Sequence, residues 1–210
     1  MTDAASRPQS DQPGDATGER PYIARFGSTV IRSLPPIEAK LGEPLPSTGA
    51  FIRVFAQVED PNTAILRAAR QFSSHCRQIF EHAPEVPQRV HEATAVLTFL
   101  VNREAAAHAQ GITVTDDATT HPTSYGQMVF WLAWKYFLFV RRRREPIQAD
   151  LDLIALHDHG VAFDRLVADV MAGRVRLPAD ATEQGAASLV SAADPSGAEA
   201  ALKGILRQSR

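Results

Sequence analysis

The sequence predicts an all-α protein, built as a single bundle of five or six helices between polar ends. Two segments carry apolar residues at helical spacing, and a third is so rich in aromatic residues that we expect it to form the central helix. We predict a disordered N-terminal segment at residues 1–21, a proline-rich extended arm at 22–48, the helical bundle at 49–175 and a flexible tail with one weak helix at 176–210. A chain of 210 residues is long enough for one such domain.

The clearest helical pattern lies between residues 65 and 83. Apolar residues recur there at alternating intervals of four and three, which places them on one side of a helix: Ile65, Ala69, Phe72, Cys76, Ile79 and Ala83. Asp60 and Pro61 suit the start of this helix, as N-cap and first helical residue. A second helix is predicted at residues 88–109. Because the link between the two is short, we expect them to pack antiparallel.

Three other parts of the chain have weaker patterns. Residues 49–59 favour a helix, and residues 36–41 favour one short helical turn, because proline suits the first helical position. After Pro146, apolar residues indicate one helix at residues 146–157 and another at 161–171. Gly160 lies between these two and suggests a break.

The most unusual segment covers residues 128–144, an aromatic block that contains both tryptophans and ends in four consecutive arginines. Its apolar part, residues 128–140, would be roughly 20 Å long as a helix, against about 30 Å for the hydrocarbon core of a bilayer. Ser124 is a suitable N-cap, and Pro146 ends the segment. We therefore predict a helix from Tyr125 to Arg144 that is buried on all sides, with no integral membrane insertion. An interfacial membrane anchor would need a polar face, which this block lacks.

The arginine run is the strongest candidate for a binding surface, and consists of Arg141, Arg142, Arg143 and Arg144. One or two cations at a helix C-terminus suffice to oppose the macrodipole, at about 0.3–1 kcal/mol each. The remaining charges are available to phosphate, lipid or carboxylate. Five aspartates follow within residues 146–171, so the arginines could pair within one chain or between two copies.

Lys135 is the second candidate for partner binding. It is the one charged residue inside the aromatic block, and a buried ammonium must reach solvent or a carboxylate. Glu104 and Asp150 are the partners that the sequence suggests.

Charge and cysteine content limit the class of protein. The chain has 22 basic and 24 acidic residues and a net charge of −2, which predicts no general affinity for polyanions. The lone Cys76 excludes an intrachain disulfide, and its place on the apolar stripe indicates a buried side chain. The N-terminus lacks the apolar core of a signal peptide. We expect a cytoplasmic protein.

Three pairs of arginine and histidine have four residues between them: Arg70 with His75, Arg77 with His82, and Arg103 with His108. This spacing is similar to the arrangement in HEPN-type ribonucleases, helical proteins in which a dimer brings both residues to a scissile phosphate. The resemblance implies that arginine binds the phosphate while histidine transfers a proton. Arg77 and His82 are the better candidates, since they lie at the end of a long helix.

His157 and His159 are weak candidates for metal ligands, because aspartates lie close to them in sequence. Residues two apart on a helix point away from each other, which argues against a shared site. We expect neither a metal nor another cofactor.

These patterns favour a non-enzymatic helical accessory or subunit protein that binds a protein partner or a second copy of itself. Two alternatives remain. The first is a nucleic-acid-binding subunit whose arginine cluster contacts phosphates, and the second is an HEPN-like ribonuclease.

Overall fold

The computed structural model describes residues 24–178 and contains five helices, which confirms the predicted all-α bundle. The helices are α1 (Thr48–Phe55), α2 (Ala64–His82), α3 (Gln88–Ala109), α4 (Tyr125–Arg142) and α5 (Pro146–Met171). Four short strands are β1 (Ala24–Phe26), β2 (Thr29–Ile31), β3 (Thr119–Thr120) and β4 (Val175–Arg176). The predicted N-terminal segment at 1–21 and nearly all of the predicted tail lie outside the described residues.

The aromatic helix α4 is the centre of the bundle, as predicted, and packs against α1, α2, α3 and α5. Phe130 and Leu132 on different sides of the helix are fully buried. Ser124 forms a capping box with Gln127, so that each side chain accepts a hydrogen bond from the other's backbone N–H. The helix ends at Arg142 rather than at Arg144, because the chain turns there to begin α5 at Pro146.

Helix α2 carries the predicted apolar stripe but begins three residues later than expected from Asp60 and Pro61. Its N-cap is Thr63, whose Oγ1 accepts a hydrogen bond from the Leu66 N–H at 3.3 Å. Asp60 instead lies within 3.1 Å of the Arg70 guanidinium. Capping by Thr63 leaves Asp60 and Pro61 in the preceding loop.

The prediction of two helices after Pro146 is wrong, since α5 continues without a break through Gly160. Thr48 of α1 lies against this glycine, and its Oγ1 donates a hydrogen bond to the Gly160 carbonyl at 3.0 Å. A Cβ at position 160 would lie only 2.9 Å from Thr48 Cγ2. The glycine therefore allows α1 to approach α5 closely and does not end a helix.

Residues 24–46 cross the bundle and are held by polar side chains of α3. Strands β1 and β2 form an antiparallel hairpin that the sequence did not predict. Glu92 of α3 accepts hydrogen bonds at the hairpin turn from the Ser28 N–H (2.8 Å), the Ser28 hydroxyl (2.7 Å) and the Thr29 hydroxyl (2.7 Å). One buried carboxylate thus fixes the turn.

The predicted helical turn at residues 36–41 does not form. The backbone N–H groups of Glu38 and Ala39 donate to the Glu104 carboxylate instead, at 3.2 and 3.1 Å. His108, one turn further along α3, donates from Nδ1 to the Glu43 carbonyl at 2.8 Å. These side-chain bonds hold the segment in an extended conformation.

The hydrogen bonds between Glu92 and the β1–β2 turn should make the stability of the hairpin depend on pH. Hydrogen bonds from Ser28 and Thr29 lower the pKa of Glu92 from its ordinary 4.5 to about 2. Because the folded-state pKa is depressed, the stabilisation is complete above pH 4.5 and disappears as the pH falls toward 2. We expect the Ser28 amide signal in NMR spectra to titrate with a midpoint near 2 and to lose this titration in Glu92→Gln. A midpoint near 4.5 would contradict the anchoring role.

Cys76 on the stripe of α2 is fully buried, and burial raises the pKa of its thiol far above the usual range. The thiolate is the reactive form, so we expect the native protein to resist an aromatic disulfide reagent and to react only on unfolding. Ser74→Cys, at an exposed position of the same helix, is the matched control and should react at once. Rapid modification of native Cys76 would show that α2 opens readily.

Candidate functional site

A groove of about 680 Å³ lies between the C-terminal ends of α2 and α4. Its lining comes from the last turns of the two helices and the turn that follows α4: Arg77, Phe80, Glu81, Phe137, Val140, Arg141, Arg143 and Arg144. On α2, Phe80 and Glu81 follow Arg77 by three and four residues. On α4, Val140 and Arg141 follow Phe137 at the same separations. One face of each helix is thereby turned toward the groove. We call this surface the arginine groove.

The floor of the arginine groove is apolar. The rings of Phe80 and Phe137 pack edge to face with centroids 5.5 Å apart and join the two helices. The guanidinium carbon of Arg141 lies 5.9 Å from the Phe80 ring centroid, a cation–π contact. Val140 is 40% exposed and adds an unburied aliphatic group. The floor therefore offers apolar surface to a ligand.

The rim of the groove is strongly cationic, with four guanidinium groups against the single carboxylate of Glu81. Within residues 24–178, none of these four arginines forms an ion pair with a carboxylate. Three of them are in the run that the sequence singled out. The fourth, Arg77, comes from α2. An anionic group in the groove would meet charges that the described chain leaves uncompensated.

The structure separates Arg142 from the other three arginines of the run. Its Nη1 faces α5 and lies 3.8 Å from Asp152 Oδ1. Arg141 and Arg142 are the last two residues of α4, and consecutive helical residues point about 100° apart, so the two side chains leave the helix on different sides. Arg142 thereby belongs to the contact between α4 and α5.

Lys135 also lies on the α5 side of α4, away from the groove. Burial lowers its pKa, and the nearby carboxylates Asp152 and Asp158 act in the opposite direction. Its carboxylate neighbours are thus neither Glu104, which binds the N-terminal arm, nor the exposed Asp150. Lys135 makes no ion pair with a described residue. It contributes to the packing of the two helices rather than to the groove.

Asp152 is the most constrained carboxylate of this contact. Burial raises its pKa, which Gln148 and Arg142 partly oppose. Oδ1 accepts a hydrogen bond from Gln148 Nε2 at 3.1 Å, whereas buried Oδ2 has no hydrogen-bond partner among the described groups. The pair of Asp152 and Arg142 connects the first turns of α5 to the end of α4.

The two histidines of α5 point in different directions. His159 is half-buried and donates from Nε2 to the Met128 carbonyl at 2.9 Å, and burial lowers its pKa. His157 is exposed. In the described part of the chain, no three histidine, cysteine, aspartate or glutamate side chains are grouped so as to hold a metal ion.

The arginine and histidine pairs are divided among separate contacts. Arg77 lines the groove, but His82 does not, and its Nδ1 contacts the Gln78 carbonyl at 2.8 Å. Residues five apart on a helix point about 140° apart, so one helix cannot turn both toward the same group. Of the third pair, Arg103 donates to the Pro35 carbonyl at 2.6 Å and His108 holds the N-terminal arm.

A second, smaller cavity of about 180 Å³ lies between the N-terminal arm and the start of α2. Its buried polar side chains are Glu104 and His108, the two groups that anchor the arm. These side chains already have structural partners, which makes the arginine groove the better candidate for ligand binding.

Sequence reasoning missed the groove residues Phe80, Glu81 and Phe137. Their spacing relative to Arg77 and Arg141 is visible in the sequence, but it does not reveal which helix ends meet. That the ends of α2 and α4 lie side by side is a property of the bundle.

Comparison of the chain with protein-family models, with curated proteins and with solved structures gives no match. Among the helices of residues 24–178, none combines the length and apolarity needed to cross a bilayer.

Proposed function

We propose that this protein is a non-enzymatic helical accessory subunit that binds an acidic segment of a protein partner in the arginine groove. The observation that carries the proposal is the combination of four uncompensated guanidinium groups with an apolar floor. Arginine and aromatic residues are the types enriched at protein interfaces. A segment with carboxylates beside aliphatic side chains would satisfy both parts of the groove.

The arrangement of the aromatic rings favours a protein segment over a nucleic-acid strand. Single-stranded nucleic acids bind by stacking bases on open aromatic faces. Phe80 and Phe137 pack against each other, and Arg141 lies over Phe80. The net charge of −2 further disfavours a polyanion.

The ribonuclease alternative has less support, since His82 does not line the groove that contains Arg77. The groove lining among the described residues includes no histidine, serine or cysteine. We place the protein in the cytoplasm, where an unpaired thiol such as Cys76 remains reduced.

The proposal is tested by fluorescence anisotropy with two probes. The first is a labelled peptide with leucines and glutamates at helical spacing, and the second is a labelled single-stranded DNA. We expect the peptide to bind, and the double variant Arg143→Glu with Arg144→Glu to weaken binding about tenfold or more, equal to about 1.4 kcal/mol.

The matched control is Arg89→Glu with Arg176→Glu, which changes the net charge equally at exposed positions that do not line the groove. This control should leave peptide affinity within about twofold, or about 0.4 kcal/mol. If DNA binds in place of the peptide, with affinity that falls steeply with salt, the nucleic-acid alternative is correct. If neither probe binds at protein concentrations where the chain is monomeric, the arginine groove is not a binding site for acidic ligands.

A further inference from the structure

The outer face of α5 carries a row of exposed aliphatic residues. Ile147, Ile154 and Val161 recur every seven residues and are 81%, 57% and 56% exposed. In the described part of the chain, no other helix exposes three large apolar side chains in this way. Residues seven apart lie on nearly the same side of a helix, so the three form one line, which we call the α5 stripe.

Two carboxylates accompany the α5 stripe. Asp150 follows Ile147 by three residues and Asp158 follows Ile154 by four, which places each beside the stripe. Neither carboxylate forms an ion pair with a described residue. The stripe thus presents aliphatic groups next to available negative charge.

This composition is the complement of the arginine groove. The groove has aromatic and aliphatic floor residues below a cationic rim, and the stripe has aliphatic residues beside carboxylates. An apolar helix face that enters an apolar groove is a common mode of recognition, and opposite charges at its edges set the orientation.

The arginine groove and the start of the α5 stripe lie at the same end of the molecule. Arg144 on the groove rim is separated from Pro146, the first residue of α5, by one residue. A two-fold axis beside this turn would let the start of each copy's stripe meet the groove of the other. Such a contact is made twice and closes on itself, which gives a dimer rather than an open chain.

We infer that the occupant of the arginine groove is the α5 stripe of a second copy of this chain, in a symmetric dimer. The inference rests on the proposed function, because it names the acidic, apolar segment that the groove binds. Ile147 and Ile154 contact the floor, and Asp150 and Asp158 pair with rim arginines. Because the contact occurs twice, each half needs to supply only part of the roughly 1,200–2,000 Å² typical of specific interfaces.

The first test is sedimentation velocity of the full chain at increasing concentration. We expect a dimer to form and Ile154→Asp to weaken it about tenfold or more, since a buried charge would face the apolar floor. Val58→Asp is the matched control, because Val58 is 77% exposed outside the two surfaces. It should leave the dimer unchanged. Circular dichroism of both variants verifies that they remain folded.

Reversing the charges of the arginine groove in one variant and of the α5 stripe in another tests whether the two surfaces contact each other. One variant carries Arg143→Asp with Arg144→Asp, and the other carries Asp150→Arg with Asp158→Arg. Each alone places like charges in both contacts of its homodimer and should be monomeric. Mixed in equal amounts they should form a heterodimer, because one contact then keeps its native charges and the other has both signs exchanged. Failure of the mixture to associate would overturn the pairing.

The outcomes separate this inference from the proposed function. A chain that stays monomeric up to about 100 µM, where a 10 µM complex would be well populated, overturns the dimer. If this monomer still binds the acidic peptide, only the identity of the occupant is wrong. Loss of peptide binding as well would contradict both proposals. A species larger than a dimer would contradict the two-fold arrangement.

Discussion

Replacing Phe163 with alanine should lower the free energy of unfolding by about 3–5 kcal/mol, the usual cost of emptying a buried aromatic site. Phe163 is fully buried where three helices meet. Its ring lies 5.5 Å from that of Phe51 on α1 and 5.2 Å from that of Tyr125 on α4. The truncation would leave a cavity between α1, α4 and α5. Urea denaturation measures the resulting loss in the free energy of unfolding.

Val161→Ala is the control for this experiment at protein concentrations where the chain is monomeric, because Val161 lies two residues earlier on the same helix but is exposed. It should change the free energy of unfolding by no more than about 0.5 kcal/mol. Equal effects of the two substitutions would contradict the orientation of α5, and with it the continuity of the helix through Gly160.

The second large effect is expected from Gly126→Ala. Gly126 lies in the first turn of α4, where its N–H donates to Asn102 Oδ1 at 2.7 Å. A Cβ at this position would lie 2.6 Å from the Thr98 carbonyl oxygen, a backbone atom of α3. Because α3 would have to shift, we expect a loss of about 1–3 kcal/mol in the free energy of unfolding.

Gly49→Ala provides the matched comparison at the start of α1. The nearest atom to its added Cβ would be the end of the Arg53 side chain, 3.4 Å away, and alanine reduces the entropy of the unfolded chain. We expect this variant to be more stable by about 0.4–1 kcal/mol. Thermal denaturation of both variants should therefore show shifts of opposite sign. Stabilisation by Gly126→Ala would rule out the close approach of α3 and α4.

Much of the bundle could be predicted because it follows from local patterns. The apolar stripe of α2 and the aromatic content of α4 report burial directly, and Ser124 marks the start of α4. What failed depends on distant contacts. Gly160 resembles a helix break until Thr48 is seen to lie against it. The helical turn predicted at residues 36–41 does not form, because Glu104, more than sixty residues away, holds this segment in an extended conformation.

The candidate site was likewise predictable where it depends on local sequence and unpredictable where it depends on how the helices pack. The arginine run was visible because four adjacent charges exceed what a helix end requires. Its separation into Arg142 and three groove residues follows from helical rotation together with the position of α5. Arg77 was noticed for a different reason, as the arginine of an arginine–histidine pair. Only the packing of α2 beside α4 places it on the groove rim.

The site at which an acidic peptide contacts the protein shows whether the arginine groove accepts acidic, apolar segments. Isotope-labelled protein carrying Ile154→Asp, which keeps the groove free of a second copy, is titrated with the leucine and glutamate peptide. We expect the largest changes in NMR chemical shift at Phe80, Phe137 and Val140. Changes centred on the N-terminal arm or on α3, with these three signals unmoved, would contradict it.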